Sequence, residues 1–322
     1  MKTVITDNSL CTLPICETAI PKHIYNYISA LAEAGVKYVE LDFRTVMKMN
    51  ELPDGVNYIF RLGDPMFAEL TEVFDFRYTV VTINDFKERI KVKNTPIIME
   101  FPAVSKLSRQ LLALAQAQLK GRIEMVRLRG SYAMMSREEA HKYVFGAKCA
   151  LPIPIDICPM NKHKTALDSA IKFSAANVDR LTMCMGLSEN YASIEEFLFT
   201  LMSVYEVLPD EFNMAALCKA AVYHQLVFGP HSRDSISHIM RLLDSDIMDL
   251  RNVDTGKRVP MKMMLKDKML LRKNFVSALE NFIDNEEIPD DLAYDISDAI
   301  KRYNISLYDT DMLYDTKKNI LN

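Results

Sequence analysis

The sequence predicts a (β/α)8 barrel over residues 1–208, followed by an all-α region over residues 209–322. Three observations support this fold class. Short β-rich runs alternate with helical runs eight times before residue 208, which is the element order of such a barrel. From Pro209 onward only helical periodicities recur. The segment after the first β-rich run contains no glycine, whereas an open doubly wound sheet needs a glycine-rich phosphate turn there.

The first half of the barrel is predicted from four β-rich runs. The first extends from Val4 to Asp7, and the others are YVELDF, VNYIFRL and FRYTVVTI. In the intervening segment PKHIYNYISALAEAGVKY, apolar residues such as Ile24 and Ile28 recur at helical spacing, and Gly35 stands where a helix C-cap is expected. Shorter helices are predicted at PMFAELTEVF and DFKERIKV.

The second half repeats the same alternation. The strands PIIMEF and IEMVRLRG flank a helix rich in Leu and Ala that ends at Gly121, and Ser136 is the candidate N-cap of the next helix. The seventh strand is predicted to end near Cys158, and an amphipathic helix follows from about Asn161 to Ala176. The eighth strand is expected from Arg180 to Met185, and SIEEFLFTLMSVYEV supplies the closing helix.

The composition is that of an ordinary globular protein, with 49% hydrophobic and 25% charged residues. The formal net charge of -4 supplies no basic surface, so we expect no nucleic-acid partner. No apolar run reaches the roughly 18 residues of a spanning helix, and the opening residues lack the apolar core of a signal peptide. We therefore expect no membrane association and a cytoplasmic location. The six cysteines show no CxxC spacing and are predicted to be reduced thiols.

Charged side chains fall on several predicted strands, namely Glu40, Asp42, Arg61, Arg127 and Arg129. Because side chains alternate along a strand, Glu40 and Asp42 share one face, as do Arg127 and Arg129. A charge that points into a barrel must be paired or must serve a function, and one that points outward beneath the helices would also need a partner. If these charges point inward, they form either an internal ion-pair layer or an anion-binding mouth.

Several segments of the chain resemble one known family. The opening ITDNSLCTL keeps Asp7 and Leu10 of a D-T-T-L-R-D-G motif, and AGVKYVELD matches a second-strand GVDYIEVG pattern. The residues after strand seven occupy the frame of H-x-H-N-D, and Gly186 to Ser193 occupy that of G-x-G-E-R-x-G-N. The chain thus resembles the metal-dependent aldol/Claisen barrel family that includes isopropylmalate synthase, homocitrate synthase and hydroxymethylglutaryl lyase. The resemblance covers residues 3 to 206 and implies the same barrel fold.

The resemblance also implies where such a family would hold its divalent metal. The family's Asp, its two His and its final Asn correspond here to Thr12, Cys158, Met160 and Ser193, while its catalytic Arg corresponds to Cys11. None of the four ligand positions offers the carboxylate or imidazole that a hard divalent cation prefers. We therefore expect the family metal site to be lost, and we predict no cofactor.

Sulfur side chains are concentrated at two of these strand ends. Cys158, Met160 and Cys184 could form a site for a soft metal such as Cu(I) or zinc. They could equally fill the space that imidazoles and a metal would occupy, because a buried free cysteine behaves as a small hydrophobe. The sequence leaves both interpretations open and favours the second.

The leading functional hypothesis is a divergent homologue of isopropylmalate/homocitrate synthase, enzymes that condense an acyl-CoA with a 2-oxo acid. Its catalysis would be impaired, so that it acts as a partner or regulatory subunit, or binds a small anionic ligand. The alternative is an active lyase, aldolase or acyltransferase with a changed site at the barrel mouth. The resemblance implies a homodimer or a heteromer with an active relative. The candidate catalytic residues are Glu189, Arg127, Arg129 and Glu40, and the candidate binding residues are Asp7, Asp42, Arg61 and Asn161.

Overall fold

The computed structural model has eight parallel strands in sequence order, and pairing of the last strand with the first closes the barrel. The strands are β1 (Val4–Asp7), β2 (Tyr38–Leu41), β3 (Asn57–Arg61), β4 (Tyr78–Thr82), β5 (Ile97–Pro102), β6 (Ile123–Gly130), β7 (Ile155–Pro159) and β8 (Arg180–Met183). The predicted (β/α)8 barrel is confirmed. The structure describes residues 3–83, 92, 95–102, 113, 116–117, 121–133, 135–151, 153–162, 164–186, 190–205, 212–229, 277, 280, 294, 297–298 and 301.

Helices connect the strands and surround the barrel. They are α1 (Ser9–Thr12), α2 (Pro21–Ala34), α3 (Phe43–Lys48), a 3-10 helix (Pro65–Glu69), α4 (Leu70–Val73), α5 (Arg137–Ala150), α6 (Ala166–Ala175), α7 (Ile194–Tyr205) and α8 (Met214–Phe228). Helix α6 begins five residues later than the sequence predicts. Lys164 adopts a positive φ of 56°, which a continuous right-handed helix from Asn161 cannot contain.

Helix α2 forms for the reasons that its sequence suggests. Ile24, Ile28 and Leu31 lie on one buried face, and Pro21 occupies the first turn, where its missing N–H removes no helix hydrogen bond. Gly35 ends the helix at φ 98°, a left-handed conformation that glycine adopts without a Cβ clash. The predicted C-cap is confirmed.

Helix α8 follows the last barrel helix and packs against α2. The rings of Tyr27 and Phe228 meet edge to face at 5.9 Å, and the N–H of Cys16 donates to the carbonyl of Val227 at 2.8 Å. The helices predicted beyond residue 229 and over residues 84–91 and 103–120 lie wholly or largely outside the described residues. The boundary near residue 208 stays a prediction. Among the described residues, no helix combines the length and hydrophobicity needed to cross a membrane.

The barrel interior changes from apolar to charged along its axis. Towards the amino ends of the strands, the inward side chains form an apolar cluster of Tyr38, Ile59, Tyr78, Val80, Ile98 and Met125. Towards the carboxyl ends, the inward residues two positions further along β2, β5 and β6 are Glu40, Glu100 and Arg127. Because functional sites of such barrels lie at the carboxyl ends of the strands, the charged layer is the place to look for one.

A capping box stabilises the start of helix α5. The Ser136 hydroxyl accepts from the Glu139 N–H at 3.2 Å, and the Glu139 carboxylate accepts from the Ser136 N–H at 2.7 Å. These two bonds satisfy backbone groups that have no partner within the helix. The cap expected at Ser136 is confirmed.

Replacing Ser136 with Ala should lower the free energy of unfolding by about 1 kcal/mol, because the helix loses its side-chain acceptor. For a barrel of this size, that loss corresponds to a fall in Tm of roughly 2–4 °C in thermal denaturation. Ser136→Asp keeps an acceptor and adds a negative charge at the helix N-terminus, so its Tm should stay near that of the unsubstituted protein. An equal loss in both variants would contradict the capping role.

Candidate functional site

A fully buried ion pair network lies inside the carboxyl-terminal half of the barrel, and Arg127 is at its centre. Its Nε donates to Asp156 Oδ2 at 2.7 Å, and its Nη1 donates to Glu40 Oε2 at 2.5 Å. The side chains of all three residues are 0% exposed. The hydroxyl of Thr182 donates to both oxygens of Asp156, at 3.0 and 2.9 Å. Strands β2, β6, β7 and β8 therefore meet in one polar layer.

A second level of the network lies closer to solvent. Arg61 Nε donates to Glu40 Oε1 at 2.5 Å, and its Nη2 donates to Glu100 Oε2 at 2.7 Å. Arg129 Nη1 donates to Glu100 Oε1 at 3.4 Å, and its Nη2 donates to the hydroxyl of Tyr191. The Arg129 guanidinium also lies 5.3 Å from the centre of the Tyr191 ring. Three guanidinium groups and three carboxylates thus form one continuous network.

Two carboxylates of this network, those of Glu40 and Glu100, are held in their ionised form. Burial alone would raise the pKa of Glu40, but the guanidinium groups of Arg127 and Arg61 hold that pKa below its ordinary value. Burial also opposes ionisation of Glu100, yet Arg61 and the other two arginines lower its pKa to about 2. Glu40 and Glu100 are therefore ionised at neutral pH.

Exposure increases from the centre of the network towards the barrel mouth. Glu100 is 5% exposed, Arg61 is 17% exposed and Arg129 is 32% exposed. In the described part of the chain, Arg129 Nε and the hydroxyl of Ser131, two residues later, have no hydrogen-bond partner. The end of the network that faces solvent consequently consists of guanidinium groups, and these two unpartnered atoms are buried behind it.

The four positions at which the resembled family holds a metal come together beside this network. Thr12 Oγ1 lies 3.2 Å from Cys184 Sγ, and Cys158 packs against Cys184 and Tyr191. The backbones of Met160 and Ser193 bridge to Tyr191 and Cys184, respectively. The topology therefore assembles the positions, whose side chains are two hydroxyls, a thiol and a thioether.

This donor set does not fit a hard divalent cation, which prefers carboxylate, carbonyl and imidazole ligands. Burial raises the pKa of Cys158 to about 12 and, together with the charge of Asp7, raises that of Cys184 well above its ordinary value. Both groups are held as thiols, whereas metals bind the thiolate. Within the described ranges, no three His, Cys, Asp or Glu side chains are grouped so that they could hold a metal ion.

Cys11 takes the place of the family's catalytic arginine and lies near the charged layer. Burial raises the pKa of its thiol well above the ordinary value, and the negative charge of Glu40 raises it further. A cysteine acts as a nucleophile through its thiolate. The environment of Cys11 therefore disfavours nucleophilic chemistry at neutral pH.

Asp7 lies outside the network, on the face of β1 that points away from the barrel interior. Its Oδ2 accepts from the Tyr27 hydroxyl at 3.2 Å, and its Oδ1 accepts from Ser9 Oγ at 2.6 Å and from the Met185 N–H at 3.2 Å. Burial raises the pKa of Asp7 to about 7, although these hydrogen bonds oppose the rise. Asp7 faces helix α2 and connects the ends of β1 and β8.

Two further candidate residues, Asp42 and Asn161, are separate from the ion pair network. Asp42 accepts from the Thr45 N–H at 3.0 Å and so caps helix α3, and it pairs with Arg44 at 2.6 Å. Asn161 Oδ1 accepts from the Ala166 N–H at 3.2 Å, at the start of helix α6. Glu189 lies outside the described residues. Of the eight candidates, Glu40, Arg61, Arg127 and Arg129 are brought together, and their functional roles stay predictions.

Sequence reasoning missed Glu100, Asp156 and Tyr191 as members of the site. Glu100 and Asp156 each stand as a single carboxylate within an otherwise apolar strand, and both face inward with the arginines. A search for single charged residues in apolar strand runs would have found both. Tyr191 lies in the segment after β8, where local periodicity carries no information about its contact with Arg129.

Replacing Arg127 with Met should lower the free energy of unfolding by about 3–5 kcal/mol, because Asp156 would lose its guanidinium partner inside the barrel. Adding Asp156→Asn should recover part of this loss, since a neutral amide leaves no unpaired charge. Urea denaturation of both single variants and the double variant measures this coupling. Strictly additive losses would contradict the assigned pairing.

Asp7 should make stability depend on pH. The unfolded carboxyl loses its proton near pH 3.8, whereas the folded carboxyl keeps it until about pH 7. The folded state therefore binds the proton more tightly, and the associated stabilisation is lost as the pH rises towards 7. Between pH 5 and pH 8, we expect the unsubstituted protein to lose about 2–3 kcal/mol relative to Asp7→Asn in urea denaturation.

The comparison between these two proteins cancels the other titrating groups. His224, whose pKa burial lowers to about 3, is common to both and drops out of the difference. Parallel stability profiles of the unsubstituted protein and Asp7→Asn over this range would show that Asp7 is ionised at neutral pH.

Comparisons with known proteins identify the fold. No protein-family model matches the chain, and no curated protein matches its sequence. A hydroxymethylglutaryl-CoA lyase from Acinetobacter baumannii, solved with coenzyme A and 3-methylmalate, matches with a TM-score of 0.54 and 12% identity over 80% of this chain and 98% of that one. The corresponding lyase from Pseudomonas aeruginosa matches with a TM-score of 0.54 and 11% identity, over 74% and 96%.

A third solved structure comes from a different enzyme. The carboxyl transferase domain of Rhizobium etli pyruvate carboxylase, solved with 3-hydroxypyruvate, matches with a TM-score of 0.53 and 11% identity over 80% of this chain and 54% of that one. At such low identities, the likeness extends to the fold alone. The chain therefore has the barrel fold that is seen in hydroxymethylglutaryl-CoA lyases and in this carboxyl transferase domain.

Proposed function

We propose that the chain binds a small carboxylate ligand at the mouth of its barrel, through Arg129 and Arg61 and without a divalent metal. The observation that carries this proposal is the orientation of the ion pair network, whose solvent-facing end consists of guanidinium groups. Arg129 Nε and the Ser131 hydroxyl supply donors that have no partner in the described part of the chain. A carboxylate is the anion whose geometry matches a planar guanidinium.

The distribution of charge within the network supports the same ligand. The buried end pairs one guanidinium, that of Arg127, with the carboxylates of Glu40 and Asp156. The outer end consists of Arg61 and Arg129, which share the carboxylate of Glu100, and Arg61 also pairs with Glu40. The charges of the network balance overall, but its solvent-facing end presents guanidinium donors, which attract an anion to a partly desolvated site where screening by solvent is weak.

The chemistry of the mouth favours binding over the metal-assisted Claisen reaction of the resembled enzymes. The positions that correspond to the metal ligands carry Thr12, Cys158, Met160 and Ser193, a set unsuited to a hard cation. Within the network, each carboxylate already accepts a hydrogen bond from at least one guanidinium. A carboxylate so occupied is a poor general base, because its ionised form is strongly stabilised.

A binding role is compatible with the association that the resemblance implies. We infer that a homodimer, or a complex with an active relative, would use the anion site for regulation. Light scattering of the purified protein, with and without a carboxylate ligand, tests this assembly directly.

Isothermal titration calorimetry in a buffer containing EDTA should detect binding of 3-hydroxypyruvate or 3-methylmalate, the small carboxylates present in two of the structural neighbours. Arg129→Gln should weaken this binding at least tenfold, because a charged hydrogen bond contributes about 1.5–3 kcal/mol. Arg77→Gln is the matched control, since Arg77 is exposed and precedes β4 at the opposite end of the barrel. Its affinity should equal that of the unsubstituted protein.

Binding that EDTA abolishes and Mn²⁺ restores would overturn the metal-free proposal. Equal affinities in Arg129→Gln and the unsubstituted protein would remove Arg129 from the site. Breakdown of hydroxymethylglutaryl-CoA by the protein in EDTA would favour an active lyase instead.

A further inference from the structure

Arg180 is a buried cation at the amino-terminal end of the barrel, opposite the mouth. It is the first residue of β8 and is 3% exposed. Its guanidinium carbon lies 3.8 Å from the centre of the Tyr38 ring and 5.1 Å from that of Tyr78. Leu181, its neighbour on the strand, belongs to the main apolar core, so alternation directs Arg180 into the barrel.

No carboxylate in the described part of the chain pairs with Arg180, and its Nε and Nη1 have no hydrogen-bond partner there. The two nearest carboxylates by sequence and by strand register have other partners. Asp179 accepts from Lys148 Nζ and from the Ile155 N–H, both at 2.9 Å. Asp156, which is opposite Arg180 in the β7–β8 register, accepts from Arg127 and Thr182 instead.

The aromatic rings satisfy only part of what this guanidinium requires. A ring stacked on a guanidinium attracts its positive charge through the face of the plane. The N–H groups point outward within that plane, and buried donors without acceptors are costly. A buried charge also needs an opposite charge nearby, and Tyr38 and Tyr78 supply none. The arrangement therefore lacks an anion.

Thr6 adds a second unused donor on the neighbouring strand. Its side chain is 0% exposed, and in the described residues its Oγ1 has no partner. In the β1–β8 register Thr6 is opposite Thr182, two positions beyond Arg180 on the same inward face. Two adjacent strands thus contribute unpaired donors to the barrel interior.

We propose that a small monovalent anion, such as chloride or nitrate, binds inside the amino-terminal end of the barrel at Arg180. Arg180 Nε and Nη1 are its principal donors, and the Thr6 hydroxyl is a further one. One positive charge and walls that include Ile59, Ile98 and Met125 select a singly charged anion of low hydration over sulfate or phosphate. The site is independent of the carboxylate site at the mouth.

Thermal denaturation in chloride and in gluconate, at equal ionic strength, tests the site because gluconate is larger and more strongly hydrated. Arg129→Gln is measured alongside, since gluconate is a carboxylate that the mouth would also bind. Chloride and nitrate should raise the Tm of the unsubstituted protein by about 2–4 °C over gluconate when present at several times the dissociation constant. Arg180→Met, which removes the charge, should abolish the difference. Thr6→Val keeps both the charge and the volume, and it should shift the midpoint of the chloride dependence to higher concentration.

Arg77→Gln is the matched control, because Arg77 also lies over the Tyr78 ring, at 5.4 Å, but is exposed. It should retain the full chloride effect, as should Arg129→Gln at the mouth. Broadening of the ³⁵Cl NMR line gives a second measure that does not depend on unfolding. The broadening should be present in the unsubstituted protein and lost in Arg180→Met.

Equal chloride effects in Arg180→Met and the unsubstituted protein would overturn the proposal. So would a bromide-soaked crystal of the unsubstituted protein with no anomalous peak beside Arg180. Should Arg180→Met fail to fold, the Thr6→Val midpoint and the bromide peak decide the question. If the unsubstituted protein binds no carboxylate at the mouth but shows the chloride effect, the proposed function fails and the Arg180 site stands.

Discussion

The ion pairs between the buried Arg127 and its carboxylate partners are the interaction on which the barrel interior depends. A guanidinium that is 0% exposed requires anions within hydrogen-bond distance, and strands β2 and β7 supply Glu40 and Asp156. In the sheet, β2 is adjacent to neither β6 nor β7. Only closure of the barrel therefore brings the three side chains together. The charge network and the barrel are thus mutually dependent. Glu40 and Asp156 pair with Arg127 in the interior, while Arg61 and Arg129 lie closer to solvent.

Buried guanidinium groups have different surroundings at the two ends of the barrel. At the mouth, the guanidinium groups of Arg61 and Arg129 are held by Glu100, with Tyr191 as an additional partner. At the opposite end, Arg180 lies among aromatic and apolar side chains. Charge complementarity therefore comes from the chain itself at one end and requires a bound ion at the other. The apolar cluster lines the Arg180 end of the barrel, whereas the charged layer lies towards the mouth.

The fold is common to proteins with different reactions, and the side chains at the strand ends determine which chemistry it supports. In this chain, the positions that correspond to a metal site carry hydroxyl and sulfur groups, and burial keeps Cys158 protonated. The same strand ends position a network of three guanidinium groups and three carboxylates beside them. Such a mouth is suited to recognising a negative charge, because its donors are already ordered before a ligand arrives.

Local sequence signals determined the alternation of strands and helices, the helix ends at Gly35 and Ser136, and the presence of charged side chains on the strands at Arg61 and Arg127. These features depend on residues close together in the chain, and the structure agrees with them. The sequence could not identify the partners of these charges, nor place Asp7 on the outer face of its strand. Alternation assigns neighbours to opposite faces but does not say which face is inside. That choice is made when strands distant in sequence close the barrel, so tertiary structure alone decided which charges meet and which one was left without a partner.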